Sequence, residues 1–236
     1  MTGLGARREV LVLPPEDFAR DTATLLAGII AGVTGESGRR CRIVLAGGRT
    51  PAVVYRELAT RAAVRWDLVE AYIGDERCVP PDHADSNFRM IDEMLLSQVP
   101  IPPWQIHRLR GERGSAAAAA EYDALLAPLP EPKFDLVLSG VGADGHTNSL
   151  FPGDARITTE PHWAMPAVAP PAFAVAERVG LSLRALNSTR AQVVLCTGAD
   201  KRDVRARILR GDPDAAELPA AMLSGTARTL WIVDPG

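Results

Sequence analysis

The sequence has few cysteines, and they fit no recognisable motif. Three occur among 236 residues, at Cys41, Cys78 and Cys196, far apart and without C-x-x-C spacing. This pattern excludes a disulfide framework and fits a reducing compartment, so we predict a cytoplasmic location. Cys78 has no histidine or acid at motif spacing, which argues against a role as a nucleophile.

Long hydrophobic runs and a strong net charge are also absent. Near the N-terminus the apolar run Val10 to Leu13 stops at Pro14, too short for the core of a signal peptide. No stretch approaches the roughly 20 apolar residues that a membrane-spanning helix needs. The formal net charge is −3, which gives no electrostatic support for nucleic-acid binding. We therefore predict neither a membrane nor a nucleic acid as a partner.

What the sequence does contain is an alternation of short apolar runs with segments of helical spacing. This alternation predicts an α/β fold with an open, mostly parallel Rossmann-like sheet, helices on both faces and a ligand site at the carboxyl ends of the strands. No Ser/Gly-rich or charge-rich linker divides the chain, so residues 1–236 are expected to form one domain. The predicted strands or extended segments are Glu9 to Leu13, Cys41 to Ala46, Val69 to Ile73, Ile106 to Leu109, Phe134 to Leu138, His162 to Val168, Arg178 to Leu183, Gln192 to Cys196 and Arg228 to Val233. Helices are predicted to begin near Pro15, at Pro51, after Ser86 and at Ser115, with another that has Lys201 in its first turn and a short one over Leu218 to Leu223.

The stretch Phe134 to Gly153, FDLVLSGVGADGHTNSLFPG, carries the strongest functional signal. A buried strand leads into a glycine-rich segment that presents Asp144 and His146. Histidine changes charge near neutral pH, so a histidine at the end of a strand is a candidate for acid/base chemistry. An alternative is that Asp144 only caps a turn, because its side chain readily bonds nearby backbone N–H groups.

The glycines of this stretch suggest a second alternative. Gly140, Gly142 and Gly145 have the G-x-G-x-x-G spacing of dinucleotide-binding turns, and they follow a predicted strand. A dinucleotide site also needs a long helix at the third glycine, whereas Pro152 and Gly153 leave room for about two turns. We therefore favour a backbone that allows close approach of a small ligand.

A second glycine turn follows the second predicted strand. Gly47, Gly48, Arg49 and Thr50 precede Pro51, which is suited to the first position of a helix. Free N–H groups, a hydroxyl and a cation at the start of a helix form a site for an anion, most simply a phosphate. The alternative is an ordinary strand-to-helix turn, which explains the glycines and the proline but not Arg49 and Thr50.

Other charged residues lie where strands are predicted to end. Asp75, Glu76 and Arg77 follow the third strand, and an arginine fork suits carboxylates and phosphates. The alternative is that these three charged residues form a solvent-exposed end of the strand and bind nothing. Lys201 stands in the first turn of a helix, where a cation is unfavourable unless an anionic ligand offsets it. Arg178 begins a predicted strand and is either a further anion contact or a surface charge.

Together these segments resemble the 6-phosphogluconolactonase family. The similar segments cover nearly the whole chain and are AGGRTP (Ala46 to Pro51), GDERCVPPDHADSNFR (Gly74 to Arg89), GVGADGHTNSLFPG (Gly140 to Gly153) and TGADK (Thr197 to Lys201). The resemblance implies hydrolysis of 6-phospho-D-glucono-1,5-lactone in the oxidative pentose phosphate pathway. It also implies His146 as the general base, with Asp144 and Arg77 as its catalytic partners. The substrate-binding residues it implies are Gly47, Gly48, Arg49, Thr50, Asp75, Asn87, Gly142, Arg178 and Lys201.

Several questions stay open at this point. Arg77 either binds the phosphate or stabilises an oxyanion, and Asp144 either orients His146 or binds a sugar hydroxyl. Members of the family commonly have Ser at the position of Ala46, which bears on the phosphate contacts. They commonly have a small residue at the position of Asn148, which bears on the polarity of the loop.

Two other functional classes remain as alternatives. Glucosamine-6-phosphate deaminases have a similar fold but carry Asn-Glu-Pro-Gly where this chain has Leu150 to Gly153. A non-catalytic sugar-phosphate sensor is the other alternative.

Asp144 and His146 lack a third ligand at known spacing, so we expect no metal. We also expect no redox cofactor, and a monomer or weak homodimer.

Overall fold

The structure is a computed structural model that describes residues 8–35, 39–212 and 217–235. Its strands are β1 (Arg8–Val12), β2 (Cys41–Leu45), β3 (Val69–Ile73), β4 (Asp75–Arg77), β5 (Ile106–His107), β6 (Phe134–Gly140), β7 (Ala164–Val168), β8 (Glu177–Leu181), β9 (Thr189–Cys196) and β10 (Arg228–Val233). Its α-helices are α1 (Pro15–Gly35), α2 (Arg49–Ala59), α3 (Asn87–Met94), α4 (Ser115–Leu126), α5 (Leu183–Asn187) and α6 (Arg202–Arg210).

Seven strands form one parallel sheet in the order β1-β10-β9-β6-β2-β3-β5. Successive side chains of a strand point to opposite faces. Ile43 and Leu45 therefore pack with α1, α2 and α3, whereas Val44 packs on the other face with α4, α5 and α6. The predicted α/β fold with helices on both faces is confirmed.

The chain leaves the centre of the sheet in two directions. From β2 it proceeds outward to β3 and β5, and from β6 it proceeds to β9 and β10 on the other side. Such a reversal between neighbouring strands opens a crevice at their carboxyl ends, where ligands bind in open α/β sheets. The glycine turn after β2 and the Asp144–His146 segment after β6 both border this crevice.

A small antiparallel sheet, which the sequence did not predict, stands next to the large one. Its order is β4-β8-β7. Asp75, Glu76 and Arg77, for which a solvent-exposed end of the strand was the alternative to a functional role, form β4. Gly74 joins the two sheets, because its carbonyl oxygen accepts a hydrogen bond from Leu181 N at 2.9 Å. The predicted strand Arg178 to Leu183 ends at Leu181, because Ser182 caps α5.

Helix boundaries follow local chemistry. Ser86 caps α3 as predicted, by accepting a hydrogen bond from Arg89 N. Pro51 was predicted to begin a helix, but α2 begins two residues earlier, at Arg49. The predicted end of α1 at Gly35 to Gly38 is observed at Gly35, and residues 36–38 lie outside the described part. Among the described helices, none has the length and apolar character to cross a membrane.

Candidate active site

A cavity of about 970 Å³ lies at the carboxyl ends of the central strands. The twelve residues that the sequence analysis names as catalytic or substrate-binding all line this one cavity, although they come from six separate stretches of the chain. They are Gly47, Gly48, Arg49, Thr50, Asp75, Arg77, Asn87, Gly142, Asp144, His146, Arg178 and Lys201. Their location is therefore known, while their individual roles remain predictions.

Asp144 holds the imidazole of His146. The Oδ1 atom of Asp144 lies 2.5 Å from His146 Nδ1 and also accepts a hydrogen bond from His146 N at 3.1 Å. Partial burial alone would raise the pKa of Asp144, but the hydrogen bonds and the charge of His146 hold that pKa below its usual value. Asp144 is thus a carboxylate at neutral pH, and Nε2 is the ring nitrogen left for a reacting molecule.

Gly142 makes room for this pair. A Cβ atom at Gly142 would lie 2.1 Å from His146 Nδ1 and 2.7 Å from Asp144 Oδ1. Gly142 is therefore required because a side chain would not fit, and not because its backbone needs a positive φ. Among the three glycines of the motif, positive φ occurs at Gly145 alone (φ 85°). The dinucleotide alternative finds no local support, since Thr147 and Leu150 form a tight turn where a helix would be needed.

Two aromatic rings enclose the imidazole on its other sides. The ring centroid of Phe151 lies 5.1 Å from that of His146, and the centroid of Phe173 lies 5.4 Å from it in an edge-on arrangement. Sequence reasoning missed Phe173, because its segment PPAFAV has no catalytic motif. The sequence offered one weak signal for Phe173, which is that an aromatic residue stands in a Pro-rich loop after a predicted strand.

The turn after β2 has the features of an anion site. Gly48 has a φ of 108° and is the N-cap of α2, so Arg49 and Thr50 lie in the first helical turn. The N–H groups of that turn and the helix dipole favour negative charge. A Cβ at Gly47 would collide with the Asn87 side chain at 2.0 Å, so Gly47 is needed for Asn87 to pack there.

Asn87 in turn braces Asp75. Its Nδ2 donates to Asp75 O at 2.9 Å and to Asp75 Oδ1 at 3.1 Å, and Ser149 Oγ donates to Asp75 Oδ2 at 2.6 Å. Asp75, Asn87 and Ser149 are all buried. The carboxylate of Asp75 therefore has a fixed orientation at the wall of the cavity.

Arg77 and Arg178 face each other across the small sheet. They are direct partners in the antiparallel register of β4 and β8. Arg77 Nη1 donates to Asp85 O, and Arg178 Nε donates to Val175 O at 3.1 Å. Burial lowers the pKa of Arg178, and repulsion from Arg77 lowers it further. Two guanidinium groups at paired positions of adjacent strands, with Arg178 buried, favour an anion between or beside them.

Lys201 reaches the cavity from a turn that Asp234 anchors. Asp234 Oδ2 accepts a hydrogen bond from Gly198 N at 2.7 Å, and its other oxygen pairs with the buried Arg205. The side chains of Arg49 and Lys201 form no hydrogen bond or ion pair within the described part of the chain. Both cations are therefore available to a ligand.

The two departures from the resemblance also line the cavity. Ala46 is buried at the end of β2. Asn148 adopts a φ of 50° in the turn after His146, and its Nδ2 is buried without a hydrogen-bond partner among the described residues. In residues 8–35, 39–212 and 217–235, no three His, Cys, Asp or Glu side chains are grouped as a metal ion would require.

Comparison with known proteins identifies the family. The model of the family described as glucosamine-6-phosphate isomerases/6-phosphogluconolactonase matches residues 14–231. The chain belongs to this family. Among relatives in the glucosamine-6-phosphate isomerase/6-phosphogluconolactonase family, the 6-phosphogluconolactonase of Mycobacterium leprae is 36% identical over 209 residues, which are 83% of each chain. That of Thermotoga maritima is 34% identical over 196 residues, covering 81% of this chain and 83% of its own length.

Solved structures of family members share the fold. The crystal structure of the Thermotoga maritima 6-phosphogluconolactonase matches with a TM-score of 0.86 at 28% identity, covering 97% of this chain and all of the other. The structure of the 6-phosphogluconolactonase of Trypanosoma brucei matches with a TM-score of 0.81 at 28% identity, covering 97% of both chains.

Proposed function

We propose that the chain hydrolyses 6-phospho-D-glucono-1,5-lactone to 6-phospho-D-gluconate in the oxidative pentose phosphate pathway. The observation that carries the proposal is the Asp144–His146 pair, which opens on the same cavity as cations suited to a phosphate. The names of the bacterial relatives support this choice of substrate.

His146 acts as the general base in this proposal. With Nδ1 bonded to the carboxylate of Asp144, Nε2 is free to take a proton from water as the water attacks the lactone carbonyl carbon. A tetrahedral oxyanion forms. The bond between the carbonyl carbon and the ring oxygen then breaks, and the imidazolium returns its proton to the ring oxygen, which leaves as a hydroxyl group. The new carboxylic acid releases its proton to solvent, which gives 6-phospho-D-gluconate. One water is consumed, and no redox step occurs.

The cations of the cavity divide between the two ends of the substrate. The phosphate carries about two negative charges near neutral pH, so it requires cations as well as N–H donors. Arg49, Thr50 and Lys201 are the leading contacts, with Arg178 as a further one. Arg77 is held by Asp85 O and is suited to stabilise the oxyanion.

Glucosamine-6-phosphate deamination is the second candidate, because the family model includes both activities. The resemblance places a ring-opening glutamate of the deaminases in the segment that is Leu150 to Gly153 here. In this chain Phe151 occupies that segment, is 6% exposed and packs against His146. Since an apolar ring cannot transfer a proton, the lactonase is favoured.

One coupled assay tests the proposal. Lactone generated in place from glucose 6-phosphate is supplied to the chain, and release of 6-phosphogluconate is followed after the spontaneous rate is subtracted. Turnover of lactone without ammonia release from glucosamine 6-phosphate is expected. Ammonia release without lactone turnover would reverse the assignment. Tight binding of 6-phosphogluconate with neither reaction would favour the sensor.

We further propose cytoplasmic action without a metal, by a monomer or weak homodimer. Three free cysteines are consistent with a reducing compartment. Full activity after exhaustive chelation is the expected result. Sedimentation of the purified chain at several concentrations would measure its oligomeric state.

A further inference from the structure

Phe173 contacts two groups that act at opposite ends of the proposed substrate. Its ring centroid lies 5.4 Å from that of His146, with the planes at 84°. The guanidinium carbon of Arg178 lies 5.2 Å from the same Phe173 centroid. Both distances are within the range of favourable edge-to-face and cation–π contacts. One side chain thus touches the candidate base and a candidate phosphate ligand.

The loop between β7 and β8 holds this ring in place. Ala169 N donates to Ala176 O at 2.8 Å, which closes the loop at its base, and Phe173 N donates to Pro170 O at 3.0 Å. Pro170 and Pro171 restrict the backbone immediately before the ring. The position of Phe173 is therefore set by the backbone as well as by packing.

Arg178 rests on the same loop. Its Nε donates to Val175 O, and its guanidinium lies over Phe173, whereas its terminal nitrogens have no hydrogen-bond partner within the described residues. The loop therefore orients the guanidinium and leaves its two-pronged end available to an anion.

His146 is confined from three directions. Asp144 binds Nδ1, Phe151 lies against the ring at a tilt of 36°, and Phe173 lies edge-on to it. The two phenyl rings also contact each other at 5.4 Å. Without Phe173 the imidazole would keep its carboxylate partner but lose one of the walls that fix the direction of Nε2.

We propose that Phe173 is a positioning residue that fixes the imidazole of His146 and the guanidinium of Arg178 relative to each other. A lactone anchored by its phosphate then meets the base at the correct distance, which is the geometry that efficient catalysis requires. This inference rests on the proposed function. It extends that function to a residue on a separate loop that touches both groups.

Substitutions that keep or remove the ring provide the kinetic test. Phe173→Leu is expected to lower kcat about fivefold through His146 and to raise KM about fivefold through Arg178, since each contact is worth about 1 kcal/mol. Phe173→Tyr keeps the ring and should stay within about twofold of wild type. Ala174→Ser, at an exposed position of the same loop, is the matched control. Unchanged constants for the leucine variant, or equal losses for leucine and tyrosine, would overturn the proposal.

A double-mutant cycle with Arg178→Met tests the link to the guanidinium. If Phe173 acts on binding through Arg178, then Phe173→Leu should raise KM little further in the Arg178→Met background. Fully additive increases in KM would overturn this half of the proposal.

The imidazole contact is tested without turnover. The chain has four histidines, so their NMR signals can be assigned by single substitution. Phe173→Leu should move the His146 signals and leave the other three in place. An unmoved His146 signal would overturn the proposal. Absence of lactone turnover in the wild type, with the signal still displaced by Phe173→Leu, would instead reject the proposed function alone.

Discussion

The hydroxyl oxygens of Thr50 and Thr197 lie 3.2 Å apart, and this hydrogen bond joins the turn after β2 to the turn after β9. These strands are not neighbours, because β6 lies between them. Thr50 belongs to the first turn of α2, and Thr197 begins the turn that ends at Lys201. The contact therefore unites two candidate phosphate-binding segments at one place in the cavity.

Thr50→Val should raise KM for the phosphorylated lactone by about fivefold, because a hydroxyl hydrogen bond contributes about 1 kcal/mol. The value of kcat should stay unchanged, since the phosphate is bound equally in the ground and transition states. The kinetics of glucono-1,5-lactone, which has no phosphate, serve as the control and should not respond. A lower kcat with an unchanged KM would contradict a role for Thr50 in phosphate binding.

Arg77→Ala should lower kcat by about 10²–10³, the usual cost of removing a preorganised oxyanion donor. The matched variant is Arg178→Ala, which should mainly raise KM. Steady-state kinetics on fresh lactone separate the two outcomes. If Arg77→Ala raises KM and leaves kcat intact, Arg77 binds the phosphate instead.

Glu76 organises the site from within the core. This side chain is 3% exposed, and its carboxylate accepts four hydrogen bonds, from Arg77 N, Asn87 N, Phe88 N and Ser86 Oγ. Burial raises the pKa of Glu76, while these donors oppose that rise.

Glu76→Gln should lower the free energy of unfolding by about 2–4 kcal/mol, because the amide nitrogen would face donors that it cannot satisfy. Urea denaturation measures the loss. Glu93→Gln, at the half-exposed pair with Arg89, is the control and should stay near wild type. Equal stabilities for the two variants would refute a structural role for Glu76.

Asp234→Asn should destabilise the chain in a pH-dependent way. Burial alone would raise the pKa of Asp234, but Gly198 N and Arg205 hold that pKa below its usual value. A carboxylate with a depressed pKa contributes stability above its unfolded pKa of about 3.9, and the contribution is lost as pH falls through the folded value.

The free energy of unfolding of the wild type should therefore exceed that of Asp234→Asn by about 1–3 kcal/mol at pH 7, with a smaller difference at pH 3. Denaturation at several pH values measures this difference. A difference that is constant over this range would mean that the charge of Asp234 does not matter.

The fold was predictable where the signal is local. The observed ranges of β3 and β10 and the start of α4 equal the predicted ones, because apolar periodicity and helix propensity determine them within a short window. The candidate site residues were also found locally, since glycines and polar side chains follow the ends of buried strands.

Other features depend on contacts between distant segments. The sequence gives no reason for Gly47 beyond a turn, whereas the structure shows that the side chain of Asn87, forty residues later, fills the space. Likewise, β4 pairs with β8 about one hundred residues away, so the local sequence contains no sign that its charged residues form a strand. Phe173 is a candidate only because its loop brings its ring against His146, a contact that the sequence does not predict.

The central claim is that His146 is the general base, and turnover of freshly generated lactone by His146→Ala tests it most directly. After subtraction of spontaneous hydrolysis, kcat should fall by about 10²–10⁴. The control is His162→Ala, because the exposed ring of His162 pairs with Asp123 outside the cavity. This variant should keep wild-type turnover. Near-normal turnover by His146→Ala would contradict the account.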